Sequence, residues 1–191
     1  MVTNFKDFIN NHGLGLLSYH DNSFSKIVIK NYPDYPWLPW RFTKTPHGYW
    51  NQLENQKKFM DFLCKEFNIK NNNDWYNITF QDIIDRGGKG LTKQYKSMKE
   101  LLEAIYIGNT WDIFYFKRLP QGFAGTLLRN HELQENFVKF LVKKFDIKSI
   151  EDWYLVSGNQ IRSIVAIKLM DAMTIVKKFY PNLEMKYFES K

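Results

Sequence analysis

Between Asn51 and Phe67 the apolar residues Phe59, Phe62, Leu63 and Phe67 recur at intervals of three and four, the spacing that gathers side chains on one face of a helix. The same pattern returns 78 residues later at Phe137, Phe140, Leu141 and Phe145. Each stretch runs into Asn68-Ile69 or Asp146-Ile147, which predicts a left-handed C-cap with the isoleucine packed back on the last turn. Asp74-Trp75-Tyr76 follows the first copy and Asp152-Trp153-Tyr154 the second. The chain therefore reads as a repeat, and self-similarity of this kind decides an architecture before any single motif does.

Upstream of these helices the register changes to 74 residues. Ser23, Tyr32, Trp37, Trp40, Phe42, Pro46, Gly48 and Tyr49 fall on Ser97, Tyr106, Trp111, Phe114, Phe116, Pro120, Gly122 and Phe123. The difference of four marks an insertion between Phe123 and Gln134. A half-length third copy places Asp171, Tyr180 and Phe188 on the register of Ser97, Tyr106 and Phe114. The expected fold is mainly α, a tandem helical repeat of about two and a half units with aromatic elbows. It forms one domain over residues 1–191, with units 1–78 and 79–156 and a half unit 157–191.

Local signals fill in the elements. Asn4 with Asp7, Thr79 with Asp82 and Ser157 with Gln160 are spaced as capping pairs at the starts of short helices. Gly13 and Gly15, matched by Gly88 and Gly90, are expected to stop them. Ser23, Ser97 and Asp171 are expected to cap the next helices, which run to Tyr32 and Tyr106 in the two full units. Pro33 then forces the chain out of helical geometry. Trp37 to Phe42 fits either a short extended segment or an irregular loop anchored by aromatic rings, and Pro46-His47-Gly48 and Pro120-Gln121-Gly122 read as turns.

Aromatic residues make up 17% of the chain and mostly sit at matched positions, so Trp37, Trp75, Trp111 and Trp153 are expected in the core and between units. Trp50 differs, because its counterpart is Ala124; a ring the fold does not demand is a better candidate for a contact surface. The string built from Gly13-Leu14-Gly15, Tyr32-Pro33, Trp37, Trp40-Arg41-Phe42, Pro46-His47-Gly48-Tyr49-Trp50, Asp74-Trp75-Tyr76 and Gly87-Gly88-Lys89-Gly90-Leu91 resembles an aromatic-rich repeat of uncharacterised multi-copy proteins of fungi, algae, other protists and large DNA viruses. The resemblance covers nearly the whole chain and implies no activity. Ile107 stands where the repeat has the proline of Tyr32-Pro33, and Ala124 where it has Trp50.

Candidate chemistry is sparse. His12, His20, His47 and His131 do not fall at metal-ligand spacing with one another or with Cys64, so neither a metal site nor a cofactor is expected. Gly87-Gly88-Lys89-Gly90-Leu91-Thr92 lacks the four residues between glycines and the Lys-Ser/Thr pair of a phosphate loop, and no carboxylate pair is singled out among Asp61, Glu66, Asp82 and Asp85. No enzyme is expected. The single Cys64 excludes an internal disulfide, and the absence of a signal peptide or a long apolar run predicts an intracellular protein, in cytoplasm or nucleus, with no membrane partner.

Charge carries the functional expectation. Lysine and arginine number 27 against 20 acidic residues, a net charge of +7 with a pI of about 9.3, which points towards polyanions. The three units hold +2, +2 and +3, so the excess is not concentrated in one of them. Arg86, Lys89, Lys93, Lys96 and Lys99 nevertheless run with no acidic residue among them and with Tyr95 inside the run. Read functionally, they meet successive phosphates while Tyr95 stacks on a base; read plainly, they are a solvated face interrupted by glycines. The leading expectation is a non-enzymatic helical repeat module binding nucleic acid with little sequence preference. The alternatives are a protein-interaction or structural module and, more remotely, a nuclease-associated domain. Ile161, Ile164, Val165, Ile167, Leu169, Met170, Ala172, Met173, Ile175, Val176 and Phe179 cover too much helical circumference for one buried stripe. That segment is expected to be a strut buried by both preceding units in a monomer, ahead of a face that pairs two copies.

Overall fold

Side-chain caps mark the starts of several helices of this chain. In the computed structural model, which describes residues 5–188, Ser23 Oγ accepts a hydrogen bond from the Lys26 amide and Ser97 Oγ one from the Glu100 amide. These caps start helices α3 (Phe24–Asn31) and α7 (Met98–Ile105), which are preceded by α1 (Phe5–Asn10) and α2 (Leu14–Ser18) and by α5 (Phe80–Ile83) and α6 (Lys89–Thr92). The two longest helices are α4 (Leu53–Glu66) and α9 (His131–Lys144), with α8 (Phe123–Arg129) before α9 and α10 (Gly158–Arg162) and α11 (Leu169–Phe179) after it. The protein is mainly α: 62% of the described residues are helical, 3-10 turns included, and no strand occurs among them. Thr79 with Asp82 and Ser157 with Gln160 form reciprocal capping boxes at α5 and α10; the Asn4 cap lies outside the described residues.

The ends of α4 and α9 are built alike. Asn68 and Asp146 both adopt φ +52, and the amides of Ile69 and Ile147 close back on the carbonyls of Cys64 and Val142. In each following loop an aspartate pins the chain: Asp74 Oδ2 accepts from the amides of Lys70 and Asn71, and Asp152 Oδ2 from those of Lys148 and Ser149. The tryptophan after each aspartate is then driven inward, with Trp75 2% exposed and Trp153 fully buried. Trp37 is only half-buried; its indole N–H donates to the Tyr32 carbonyl and its ring lies against Tyr35 and Phe42.

Two expectations are corrected and one alternative is decided. Gly15 and Gly90 do not stop helices, since they lie inside α2 and α6; the break between α5 and α6 falls at Gly87, beside Gly88, where a φ of +97 kinks the wide turn Ile84–Gly88. Asp171 is not a cap, because α11 starts from Lys168 and Asp171 sits in its first turn. Trp37 to Phe42 is irregular, with one tight 3-10 turn, Pro39–Arg41, that buries Trp40. Pro46 to Gly48 and Pro120 to Gly122 are turns in which the glycines take φ +73 and +75.

The chain packs as two compact units, Met1–Trp111 and Asp112–Lys191. In the first, Trp40 stands edge-on to Phe59 and also meets Phe62, and Trp50 stands edge-on to the same Phe59, so α4 is clasped by rings from the elbow before it. In the second, one core gathers Phe137, Phe140 and Leu141 of α9, Trp153, Ile161, Val165 and the inner face of α11. That face comprises Leu169, Ala172, Met173, Ile175 and Val176, with Met170 and Phe179 partly buried against the same core. The apolar breadth of this segment is thus used inside Asp112–Lys191, by α9, α10 and the final turn Met185–Phe188.

Candidate functional site

Two stretches of Met1–Trp111 far apart in sequence, 40–51 and 87–94, meet to form a cleft of about 760 Å³. Its aromatic side comes from Trp40, Phe42, Tyr49 and Trp50, and its opposite rim from α6 and the residues that end it, including Lys89, Lys93 and Gln94. Two glycines allow the approach. Gly87 holds φ +97, and a Cβ there would stand 2.2 Å from the Trp40 carbonyl oxygen. At Gly90 a Cβ would stand 2.4 Å from Trp50 Cδ1. The Gly-Gly-Lys-Gly run kinks the chain at Gly87 and lets α6 lie directly on the tryptophan elbow, with Lys89 and Lys93 among the residues that line the cleft.

A hydrogen-bonded relay fixes the cleft from behind. Gln56 on α4 is buried and donates from Nε2 to the Trp50 carbonyl at 2.6 Å and to Gln94 Oε1 at 2.9 Å, while its Oε1 accepts from the Tyr95 hydroxyl at 2.6 Å. Gln94 Nε2 in turn donates to Asn51 Oδ1 at 3.0 Å. A buried amide left unpaired is costly, so this network holds the elbow and the end of α6 in one arrangement. Gln134, at the matched position of α9, is likewise buried and donates to the carbonyls of Leu127 and Leu128 while accepting from Lys178 Nζ.

The cleft is electropositive. His47, Lys89 and Lys93 line it and no carboxylate does. Lys89 and Lys93 are exposed, stand four apart, and form no ion pair among the described residues. Burial pushes the Tyr49 hydroxyl up to about 12, so it remains protonated and able to donate. The buried indole N–H of Trp40 has no acceptor among the described residues, and the N–H edge of the Trp50 indole lies against Gly90.

Of the six residues of the basic run, the structure brings two to this site. Lys89 and Lys93 line it; Arg86 instead lies over the Phe67 ring with its guanidinium carbon 4.4 Å from the centroid. Lys99 is paired with Glu103 on α7, and Lys96 is exposed beyond the turn that ends α6. Tyr95 is half-buried with its hydroxyl committed to Gln56. The stripe suggested by three- and four-residue spacing is broken because α6 ends at Thr92 and a new helix starts after Ser97. Sequence reasoning missed Phe42, His47, Tyr49, Asn51 and Gln94, which are supplied by the elbow or serve as uncharged links. Trp50, singled out because Ala124 matches it, is 7% exposed and forms part of the cleft wall.

Other candidate chemistry is quiet. Burial pushes the Cys64 thiol up, opposed by its hydrogen-bond contact with the Tyr106 hydroxyl at 3.7 Å, so the group is a poor thiolate. Among the described residues no three His, Cys, Asp or Glu side chains gather as a metal site, and no helix is long and apolar enough to cross a membrane. Comparison of the chain with protein-family models, curated proteins and solved structures gives no match.

Proposed function

We propose that the protein is a non-enzymatic tandem helical repeat module that binds nucleic acid through the cleft of Met1–Trp111, with Lys89 and Lys93 meeting phosphates. The observation that carries this reading is a recess lined by aromatic rings, two unpaired lysines and a histidine with no carboxylate. Charge of one sign in a concave site attracts a polyanion and raises its local concentration. The repeat reading is supported by matched features: two eight-residue helices begun by Ser23 and Ser97, two fourteen-residue helices, two buried glutamines, and two aspartates accepting paired amides before a buried tryptophan.

Anisotropy of a labelled single-stranded oligonucleotide, titrated at several salt concentrations, tests the function. We expect affinity to fall steeply between about 50 and 200 mM salt, and the combined change of Lys89 and Lys93 to Gln to weaken binding and lower the magnitude of the log-log salt slope by about 1.4. Both lysines are exposed, so the fold should change by less than about 0.5 kcal/mol. No salt-dependent binding, or an unchanged slope in the double variant, overturns the reading. A protein-interaction role is the second reading, favoured by the exposed Leu14, Leu16 and Tyr19 in and just after α2. It predicts a stable complex insensitive to salt.

A further inference from the structure

We propose that the cleft takes an unpaired nucleobase together with its neighbouring phosphate, so that the ligand is a single strand rather than a duplex. This rests on the nucleic-acid reading above and makes it more specific. The volume of about 760 Å³ lies in the range of small-ligand sites, roughly 300 to 1,000 Å³, and suits a nucleotide. Its lining is divided in the way a nucleotide is divided. Phe42 and Tyr49, both half-buried, offer ring surface beside the buried Trp50, while Lys89 and Lys93 hold positive charge on the facing rim. Rings can be used only by a base whose face is free. In a duplex that face is stacked on its neighbours and hidden from the protein, whereas a single strand can splay a base onto an aromatic platform while its backbone follows the cations.

The open hydrogen-bonding groups agree with such a ligand. Asn51 spends its Oδ1 on Gln94, and the network leaves its Nδ2 with no acceptor among the described residues. With the two ammonium groups, the wall therefore offers donors to the carbonyl edge of a base and to phosphate oxygens. These residues are also not kept where the repeat recurs. At matched positions His47 and Trp50 are replaced by Gln121 and Ala124. Lys89 and Lys93 fall on Ile167 and Asp171 with the offset of 78, or on Ser163 and Ile167 with that of 74; under either register no cation is kept. The second and third copies thus fold without the groups that make the cleft of the first one aromatic and cationic.

The test compares, by anisotropy at one salt concentration, a labelled twelve-nucleotide single strand with a duplex of the same sequence, using the full chain and two variants. We expect the single strand to bind at least tenfold tighter than the duplex. Tyr49→Ala, confirmed folded by circular dichroism and a cooperative melt, should lose about 5- to 100-fold of single-strand affinity and leave duplex binding unchanged. If Tyr49→Ala does not fold, His47→Ala at the exposed rim and quenching of intrinsic tryptophan fluorescence replace it. A single strand should quench and a duplex should not, and His47→Ala should narrow the preference. Equal binding of strand and duplex, both weakened by the Lys89 and Lys93 changes, overturns the unpaired-base proposal and leaves the nucleic-acid reading standing. Binding of neither probe removes both.

Discussion

Trp75 is a single side chain on which the packing of its unit depends. Its ring is 2% exposed, lies 6.1 Å from that of Tyr106, and is delivered inward by the turn that Asp74 ties down. Trp75→Ala should cost about 3 to 5 kcal/mol, comparable to the whole stability of a marginal domain. Chemical denaturation checks this, and a variant that folds cooperatively with unchanged stability would show that the ring is not structural. Asp74 and Asp152 add a pH dependence. Amides of Lys70 and Asn71 hold the first carboxylate below its ordinary value, and those of Lys148 and Ser149 do the same for the second. A carboxylate depressed in the folded state stabilises fully above its unfolded pKa, and that stabilisation is lost as pH falls through the folded value. The melting temperature should therefore decline as pH drops from about 5 towards 2, and the combined change of Asp74 and Asp152 to Asn should flatten this acid limb. An acid limb of unchanged steepness in the double variant would show that other groups carry it.

At the scale of elements, the sharpest expectation concerns two glycines at matched places in two short helices. Gly90 in α6 faces the Trp50 ring, which is held edge-on between Tyr49 and Phe59, so a new Cβ must push a buried ring aside. Gly15 in α2 has nothing within 4 Å of that position. Alanine favours helical backbone at both by up to about 1 kcal/mol, but the clash outweighs this at Gly90 alone. Gly90→Ala should destabilise by about 1 to 3 kcal/mol and impair ligand binding, whereas Gly15→Ala should stabilise by about 0.5 to 1 kcal/mol; parallel melts of the two variants decide it. The contrast also marks what sequence can tell. Caps at Ser23, Ser97, Thr79 and Ser157 and the left-handed Asn68 and Asp146 were legible, because each is a local contest between a side chain and its own backbone. The role of Gly90 was not, since its partner Trp50 lies forty residues away and no periodicity links them. The same distance hid the cleft. Lys89 and Lys93 were legible as cations, but their separation from Lys96 and Lys99 depends on where α6 ends, and the buried Gln56 and Gln134 were passed over because a polar residue in a helical pattern reads as surface.

For the whole molecule, the apolar breadth of α11 decides how the chain is expected to behave in solution. A helix with side chains facing inward on most of its circumference must be enclosed by its own chain or by another copy. Here Leu169, Ala172, Met173, Ile175 and Val176 are buried in the core of Asp112–Lys191, Met170 and Phe179 rest against its edge, and Thr174, Lys177 and Lys178 face outward. Lys178 further ties the helix to the buried Gln134 of α9 through a hydrogen bond of 2.8 Å. Such a helix has no broad apolar face left for a second copy, and within Asp112–Lys191 exposed residues such as Leu155 and Leu128 lie far apart in the sequence. Light scattering at micromolar concentration should therefore report a monomer. Met173→Glu should abolish cooperative folding of the unit, because it places an unpaired carboxylate in a fully buried position. A dimer at that concentration, separated by Met170→Glu with the fold intact, would show instead that the edge of this helix is an interface between copies.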